Sequence, residues 1–311
     1  MKIFLANPRG FCAGVRRSID CVNFAMNFHK PVYVKHEIVH NTHVVEGFRK
    51  KGINFIEKIS DVPDGSILIF SAHGVSRSIF LEAKNRNSLS ILDATCPLVK
   101  KIHTRIHRAS KNSQDVILIG DPKHPEIQGS VGHYERNERS KIHVVNSLHD
   151  IDHINLRNTE DLIFSTQTTL SIDHTKLMIK KLISKFPKVE GPSSSEICYA
   201  TRNRQEALRE LSKKSNTILV VGSKNSSNSN SLLKLSRKLG KEGFLIDTIK
   251  EIEKISFNRS LPIGLTAGAS TPSSMIFEVI KRLNRIGFDE IQEISPFKKE
   301  KMIFRFPRFE N

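Results

Sequence analysis

One local pattern recurs from end to end of the chain: a short apolar run, a loop of small polar residues, then a segment with helical periodicity. Residues 2–6 lead into Phe11-Cys12-Ala13-Gly14, residues 32–34 into His36-Glu37-Ile38-Val39-His40-Asn41, and residues 67–70 into Ser71-Ala72-His73-Gly74. Ile91-Leu92 leads into Asp93-Ala94-Thr95-Cys96-Pro97, and residues 116–119 into Gly120-Asp121-Pro122-Lys123-His124-Pro125-Glu126. Residues 162–164 run into Ser165-Thr166-Gln167-Thr168-Thr169, residues 218–221 into the polar loop 222–230, and residues 263–265 into the loop 266–272. Short apolar strands alternating with helices predict parallel α/β sheets. In such sheets ligands bind beyond the carboxyl ends of the strands, where these loops lie. After Gly14, the spacing of Val15, Ile19, Val22 and Met26 predicts one apolar helix face. Leu232, Leu235 and Leu239 predict a second, with Gly240 as its C-terminal stop.

A chain of 311 residues accommodates two or three domains of ~100–150 residues each. The expected division is an N-terminal strand with the first cysteine over 1–13, α/β domains over 14–97, 98–193 and 194–285, and a strand or tail over 286–311. The break near 193 falls in the turn-rich stretch Gly191-Pro192-Ser193-Ser194-Ser195. No apolar run approaches the ~20 residues that cross a bilayer, and the apolar start is too short for a signal-peptide core. A cytoplasmic protein without a membrane partner is expected. The net charge of +17 invites a nucleic-acid reading. The basic residues are scattered, as along Lys176, Lys180, Lys181 and Lys185, rather than gathered into one block. The expectation is therefore no nucleic acid; a compositional drift toward Lys supplies most of the excess, and docking an acidic partner, whose encounter complementary charge accelerates, is a second possible use of it.

The cysteines are Cys12, Cys21, Cys96 and Cys198, with no CxxC pair among them. A reducing compartment disfavours structural disulfides. Cys12 and Cys96 follow strands and precede helices, and Cys198 precedes a helix expected to begin near Thr201. The free N–H groups at a helix N-terminus stabilise a thiolate. Three such thiolates from three small units could hold one iron–sulfur cluster with an iron left open. Buried thiols packed behind strands would give the same spacing, and a zinc site is a further alternative. Cys21 lies mid-helix in line with Phe24 and Phe28, and reads as a packed or half-exposed thiol. His40, His73 and His124 occupy equivalent polar loops, and Ser226-Ser227-Asn228 and Ser270 add hydroxyl, amide and backbone donors. Such loops at helix N-termini suit a phosphate or diphosphate, although simple helix capping would use the same residues. They match no Walker or dinucleotide glycine pattern. Glu126, two residues beyond His124, is the candidate acid, with Thr168 to position it or a substrate hydroxyl.

Taken in order, residues 6–15, Ser71-Ala72-His73-Gly74-Val75, Asp93-Ala94-Thr95-Cys96-Pro97-Leu98-Val99, His124-Pro125-Glu126, Thr166-Gln167-Thr168-Thr169-Leu170, Ile197-Cys198-Tyr199-Ala200-Thr201 and 221–230 closely resemble the motifs of one family. It is the LytB/IspH family of 4-hydroxy-3-methylbut-2-enyl diphosphate reductases, and the resemblance spans nearly the whole chain. The resemblance implies three small α/β domains in pseudo-threefold arrangement around one [4Fe–4S] cluster, held by Cys12, Cys96 and Cys198. It implies that His40, His73, His124, Thr168, Ser226, Ser227, Asn228 and Ser270 bind substrate, mostly at its diphosphate, with Glu126 and Thr168 catalytic. The implied reaction is reductive dehydroxylation to isopentenyl and dimethylallyl diphosphate, the last step of the non-mevalonate (MEP) pathway. The implied electron donor is flavodoxin or ferredoxin. Asp121-Pro122-Lys123 departs from the family pattern, standing where a glycine-containing turn is expected before His124.

Overall fold

The computed structural model describes residues 1–135, 138, 140–156, 159–192, 196–295 and 300–310. The serines of the expected linker, the domain break placed among them, and Asn311 lie outside the described residues. Along the chain the strands are β1 (Lys2–Ala6), β2 (Val32–Lys35), β3 (Asn54–Ile56), β4 (Ile67–Phe70), β5 (Ser90–Asp93), β6 (Asp115–Ile119), β7 (Ile142–Val145), β8 (Leu162–Thr166), β9 (Thr217–Val221), β10 (Glu242–Ile246), β11 (Ile263–Ala267), β12 (Glu290–Ile294) and β13 (Phe309–Glu310). The helices are α1 (Ala13–Ala25), α2 (Thr42–Arg49), α3 (Arg77–Lys84), α4 (Pro97–Lys111), α5 (Pro125–Val131), α6 (Leu148–His153), α7 (Ile172–Lys185), α8 (Tyr199–Ser212), α9 (Ser227–Lys238), α10 (Ile249–Ile252) and α11 (Ser273–Arg285). The strands form three sheets, in the orders β10-β9-β11-β1-β12, β13-β5-β4-β2-β3 and β7-β6-β8. Every pairing is parallel except that of the two-residue β13 with β5. Three parallel sheets with intervening helices are what the strand–loop–helix repeat predicts.

The chain separates into two compact units. The first comprises Met1–Arg16, His40–Gly47 and Tyr199–Ile303, and contains the sheet with β1 at its fourth position. Successive strand residues point to opposite faces, and both faces are covered. Ile218 and Val220 pack with Leu208, Leu211, Leu232 and Leu235 of α8 and α9. Leu219 and Val221 pack with Ile252, Met275, Val279 and Leu283 of α10 and α11. A strand buried on both faces reads as a continuous apolar run, which is why β9 was legible.

The second unit comprises Arg17–Val39, Phe48–Cys198 and Phe304–Asn311, and holds the other two sheets. In the three-stranded sheet, Val116 and Leu118 pack on Ile102 and Ile106 of α4 and Ile127 of α5. Ile117 and Ile119 pack on the opposite face with Ile151, Met178 and Leu182. The five-stranded sheet buries Leu68, Phe70 and Ile91 with Ile59, Val62 and Ala83. Each such side chain, fully buried, contributes ~1.5–3 kcal/mol relative to exposure.

Helix α1 differs from its predicted face. Val22 is buried, but Val15 and Ile19 are only partly so, and Met26 lies beyond the helix end and is exposed. The buried stripe is instead Gly14, Arg17, Ser18, Cys21, Val22 and Ala25. Apolar periodicity misses this stripe because two of its members are polar side chains that bond backbone carbonyls. The second predicted face holds. Leu232 and Leu235 are buried, Leu239 is the C-cap of α9, and Gly240 follows with a left-handed φ of 73°.

Candidate active site

In the first unit, a chain of hydrogen bonds runs from Cys12 to the Ser/Asn loops. The Cys12 N–H donates to the Ala269 carbonyl at 3.1 Å, and the Ala269 N–H donates to Asn228 Oδ1 at 2.8 Å. Asn228 Nδ2 donates in turn to Thr201 Oγ1 at 3.2 Å. Next to Ala269, Ser270 Oγ donates to the His40 carbonyl at 2.8 Å and lies 3.4 Å from Ser226 Oγ. Ser226 is the N-cap of α9, its Oγ accepting the Ser229 N–H at 3.3 Å, and Ser227 is the first helical residue. Capping and a polar cluster are thus built from the same side chains. Ser226, Asn228 and Ser270 are buried, while His40, Ser227 and Cys12 are partly exposed. A helix N-terminus lined with buried hydroxyl and amide groups is a ready anion site.

In the second unit the remaining residues are linked in a similar way. The Cys96 N–H donates to the Ala72 carbonyl at 3.0 Å, beside His73. The His73 and His124 rings meet edge to face with centroids 5.7 Å apart. His124 is the N-cap of α5, its Nδ1 accepting the Glu126 N–H at 3.2 Å. The neutral ring must therefore carry its proton on Nε2. Both Glu126 oxygens are held by Thr168, whose N–H donates to Oε1 at 2.7 Å and whose Oγ1 donates to Oε2 at 2.9 Å. The Thr168 carbonyl accepts the Cys198 N–H at 3.0 Å. The Asp121-Pro122-Lys123 turn closes without glycine. Asp121 Oδ1 accepts the Lys123 N–H at 2.9 Å, its carbonyl accepts the His124 N–H at 3.0 Å, and Pro125 occupies the first turn of α5.

Glu126 is 2% exposed, and burial pushes its pKa up from 4.5 to about 7. The two Thr168 hydrogen bonds oppose that rise, and the Glu196 carboxylate adds to it. Burial likewise raises the pKa of Glu196, whose Oε2 accepts the Thr166 N–H at 3.0 Å. A buried carboxyl poised near neutrality can hold a proton and release it to a bound group.

Cys12, Cys96 and Cys198 are partly exposed thiols outside any disulfide, whereas Cys21 is 0% exposed and burial pushes its pKa to about 12. Cys12 directly precedes α1, with the Val15 N–H 3.4 Å from its Sγ; Cys96 is the N-cap of α4; Cys198 directly precedes α8. Each of these three is an accessible thiol at a helix N-terminus, a position that suits a thiolate, and Cys21 is not. Among the described residues, no three His, Cys, Asp or Glu side chains are grouped so as to hold a single metal ion. No helix among them is long and apolar enough to cross a membrane.

Three participants were not singled out from sequence. Tyr199 Oη accepts the Ala13 N–H at 3.4 Å beside Cys12. Arg204, 0% exposed, donates through Nη2 to the Gly10 carbonyl at 2.6 Å and through Nη1 to Glu300 at 3.1 Å. Glu196 is the third. Only their nearness to Cys198 marked them in sequence, and no local pattern distinguishes a buried arginine from the many surface ones.

The family model described as "LytB protein" matches residues 3–284. The 4-hydroxy-3-methylbut-2-enyl diphosphate reductase of Histophilus somni is 49% identical over 309 residues, covering 99% of this chain and 98% of its own. The like-named protein of Yersinia pestis is 48% identical over 99% of this chain and 97% of its own. The solved E-1-hydroxy-2-methyl-but-2-enyl-4-diphosphate reductase of Plasmodium falciparum superposes with a TM-score of 0.89 at 37% identity, over 98% of this chain and 95% of that one. A second solved structure, described as (E)-4-hydroxy-3-methyl-but-2-enyl diphosphate reductase, the terminal enzyme of the non-mevalonate pathway, gives 0.64 at 28% identity, over 91% and 99%.

Proposed function

Because this chain belongs to the LytB protein family, we infer that it reduces 4-hydroxy-3-methylbut-2-enyl diphosphate to isopentenyl and dimethylallyl diphosphate, the terminal step of the non-mevalonate pathway. The observation that carries the chemistry is the Glu126–Thr168 pair: a buried carboxyl with a pKa of about 7, both oxygens anchored. Loss of an allylic hydroxyl needs a proton, since hydroxide is a poor leaving group. Glu126 delivers that proton, and Thr168 fixes the carboxyl's direction. Two electrons and a second proton complete the balance: one water leaves, and protonation at either end of the allylic system gives the two products. His124, with its proton on Nε2, is set to donate to the substrate beside Glu126.

The diphosphate is assigned to His40, His73, His124, Ser226, Ser227, Asn228 and Ser270, with Thr168 nearer the hydroxyl. Binding energy gathered there, away from the reacting carbon, orients the hydroxyl toward Glu126. Cys12, Cys96 and Cys198 are assigned as the ligands of one [4Fe–4S] cluster, supported by their accessibility and their places at helix N-termini. When bound, that cluster supplies electrons and one iron without a protein ligand. The division into domains 14–97, 98–193 and 194–285 about such a cluster is part of the same proposal, as is a flavodoxin or ferredoxin donor. The test is anaerobic turnover of the diphosphate by cluster-reconstituted protein with a reduced dye. Formation of both five-carbon diphosphates is expected; an intact cluster without turnover would overturn the substrate assignment.

A further inference from the structure

Two adjacent side chains of α1 close the backbone of the loop that presents Cys96. β5 ends at Asp93 and α4 begins at Pro97, so Ala94, Thr95 and Cys96 alone connect them. Ala94 and Thr95 are buried, and buried peptide groups require partners. The Ala94 N–H donates to the Phe70 carbonyl and the Cys96 N–H to the Ala72 carbonyl, both at 3.0 Å, while the Thr95 N–H donates to Asp93 Oδ1 at 3.0 Å. The carbonyls are taken by α1. Arg17 Nη2 donates to Asp93 O at 3.2 Å, Ser18 Oγ to Ala94 O at 3.0 Å, and Arg17 Nη1 to Thr95 O at 3.0 Å. Three consecutive carbonyls are thereby bonded by two consecutive residues.

Arg17 is itself only 8% exposed, and its Nε donates to the Arg305 carbonyl at 2.8 Å. Arg305 belongs to the C-terminal segment, beyond the stretch matched by the family model. That segment is anchored twice. Phe309 pairs with Leu92 at the sheet edge, and the rings of Phe306 and Phe309 meet those of Phe24 and Phe28 at 5.1 and 5.6 Å. The planar guanidinium fork reaches two loop carbonyls and the tail at once, a geometry a lysine ammonium does not reproduce.

We propose that Arg17 and Ser18, backed by the C-terminal segment, are positioning residues for Cys96: by pairing carbonyls 93–95 they fix the backbone from which the Cys96 thiolate meets the cluster. This rests on the assignment of Cys96 as a cluster ligand. The test uses full-length Arg17→Met, Arg17→Lys and Ser18→Ala variants under anaerobic conditions, first without and then with reconstituted cluster. In the apoproteins, amide hydrogen exchange at 94–96 and alkylation of Cys96 are read by mass spectrometry, with exchange at 217–221 as the control for folding. Arg17→Met is expected to speed both by about tenfold or more, the factor set by losing buried hydrogen bonds. Ser18→Ala should give a smaller change in the same direction, and Arg17→Lys only partial rescue. In the loaded proteins, iron loss to a chelator should accelerate in the same order, and the EPR spectrum of the dithionite-reduced cluster should change. Wild-type loop exchange, Cys96 alkylation and EPR spectrum in Arg17→Met would overturn the proposal. If Arg17→Met does not fold, the same wild-type readings in Ser18→Ala would do so. Failure of the wild-type protein to take up any cluster would refute the ligand assignment instead, and the apoprotein readings would still decide the loop.

Discussion

A carboxyl with a pKa of about 7 exchanges its proton with solvent near neutral pH, and Glu126 owes that value first to burial. Replacing Glu126 by Gln keeps the hydrogen bond from the Thr168 N–H but removes the transferable proton. Iron content and substrate affinity should stay near wild type while turnover falls by ~100-fold or more. Thr168→Val deletes one of the bonds that hold the Glu126 pKa down, so the alkaline limb of the pH–rate profile should move to higher pH. Stability follows with a defined sign. The folded-state pKa lies above the unfolded one, so the contribution is present in full below pH 4.5 and lost as pH rises through about 7. Between pH 4 and 8, chemical denaturation should show the Glu126→Gln variant gaining on wild type by on the order of 3 kcal/mol. Among the cysteines, Cys96→Ser should lose iron and sulfide. Cys21→Ala should retain both, since Cys21 is fully buried with its thiol pKa pushed to about 12.

At the scale of elements, the loops after the strands carry the chemistry, and their backbones are tightly constrained. Gly74 sits in the left-handed region at φ 78°, and a Cβ there would lie 2.5 Å from His103 Cε1. The loop bearing His73 therefore admits only glycine at that position. Gly74→Ala should lower the melting temperature and weaken substrate binding together, through strain of ~1–3 kcal/mol. Ser226→Ala removes an N-cap worth ~1 kcal/mol as well as a hydroxyl of the polar cluster, so a stability loss and a rise in KM should accompany one another. Apolar runs in the sequence located β1, β2, β4, β5, β6, β8, β9 and β11, all of them inside a sheet except β8. Two other edge strands carried less: β3, Asn54–Ile56, is short and was not located, and β12, Glu290–Ile294, is largely exposed and was expected only as a strand or tail over 286–311. An edge strand does not need two buried faces, so its residues can lack a strong apolar signal; β8, at an edge but covered on both faces, keeps one.

For the molecule as a whole, the net charge of +17 sets how charged partners approach. Electron transfer from an acidic flavodoxin or ferredoxin should slow steeply as ionic strength rises, whereas reduction by a neutral dye should not. Stopped-flow rates measured across a salt series separate the two. By itself, the sequence determined the parallel α/β architecture, the strand-end loops and the cysteines that head helices, because each is written in contiguous residues. Only the tertiary structure decided the Glu126 pKa, which depends on burial and on Thr168, 42 positions away. It also decided the polar stripe of α1, since Arg17 and Ser18 find their carbonyls across 78 and 76 positions. Periodicity records which residues avoid water; it does not record which buried polar group will satisfy which.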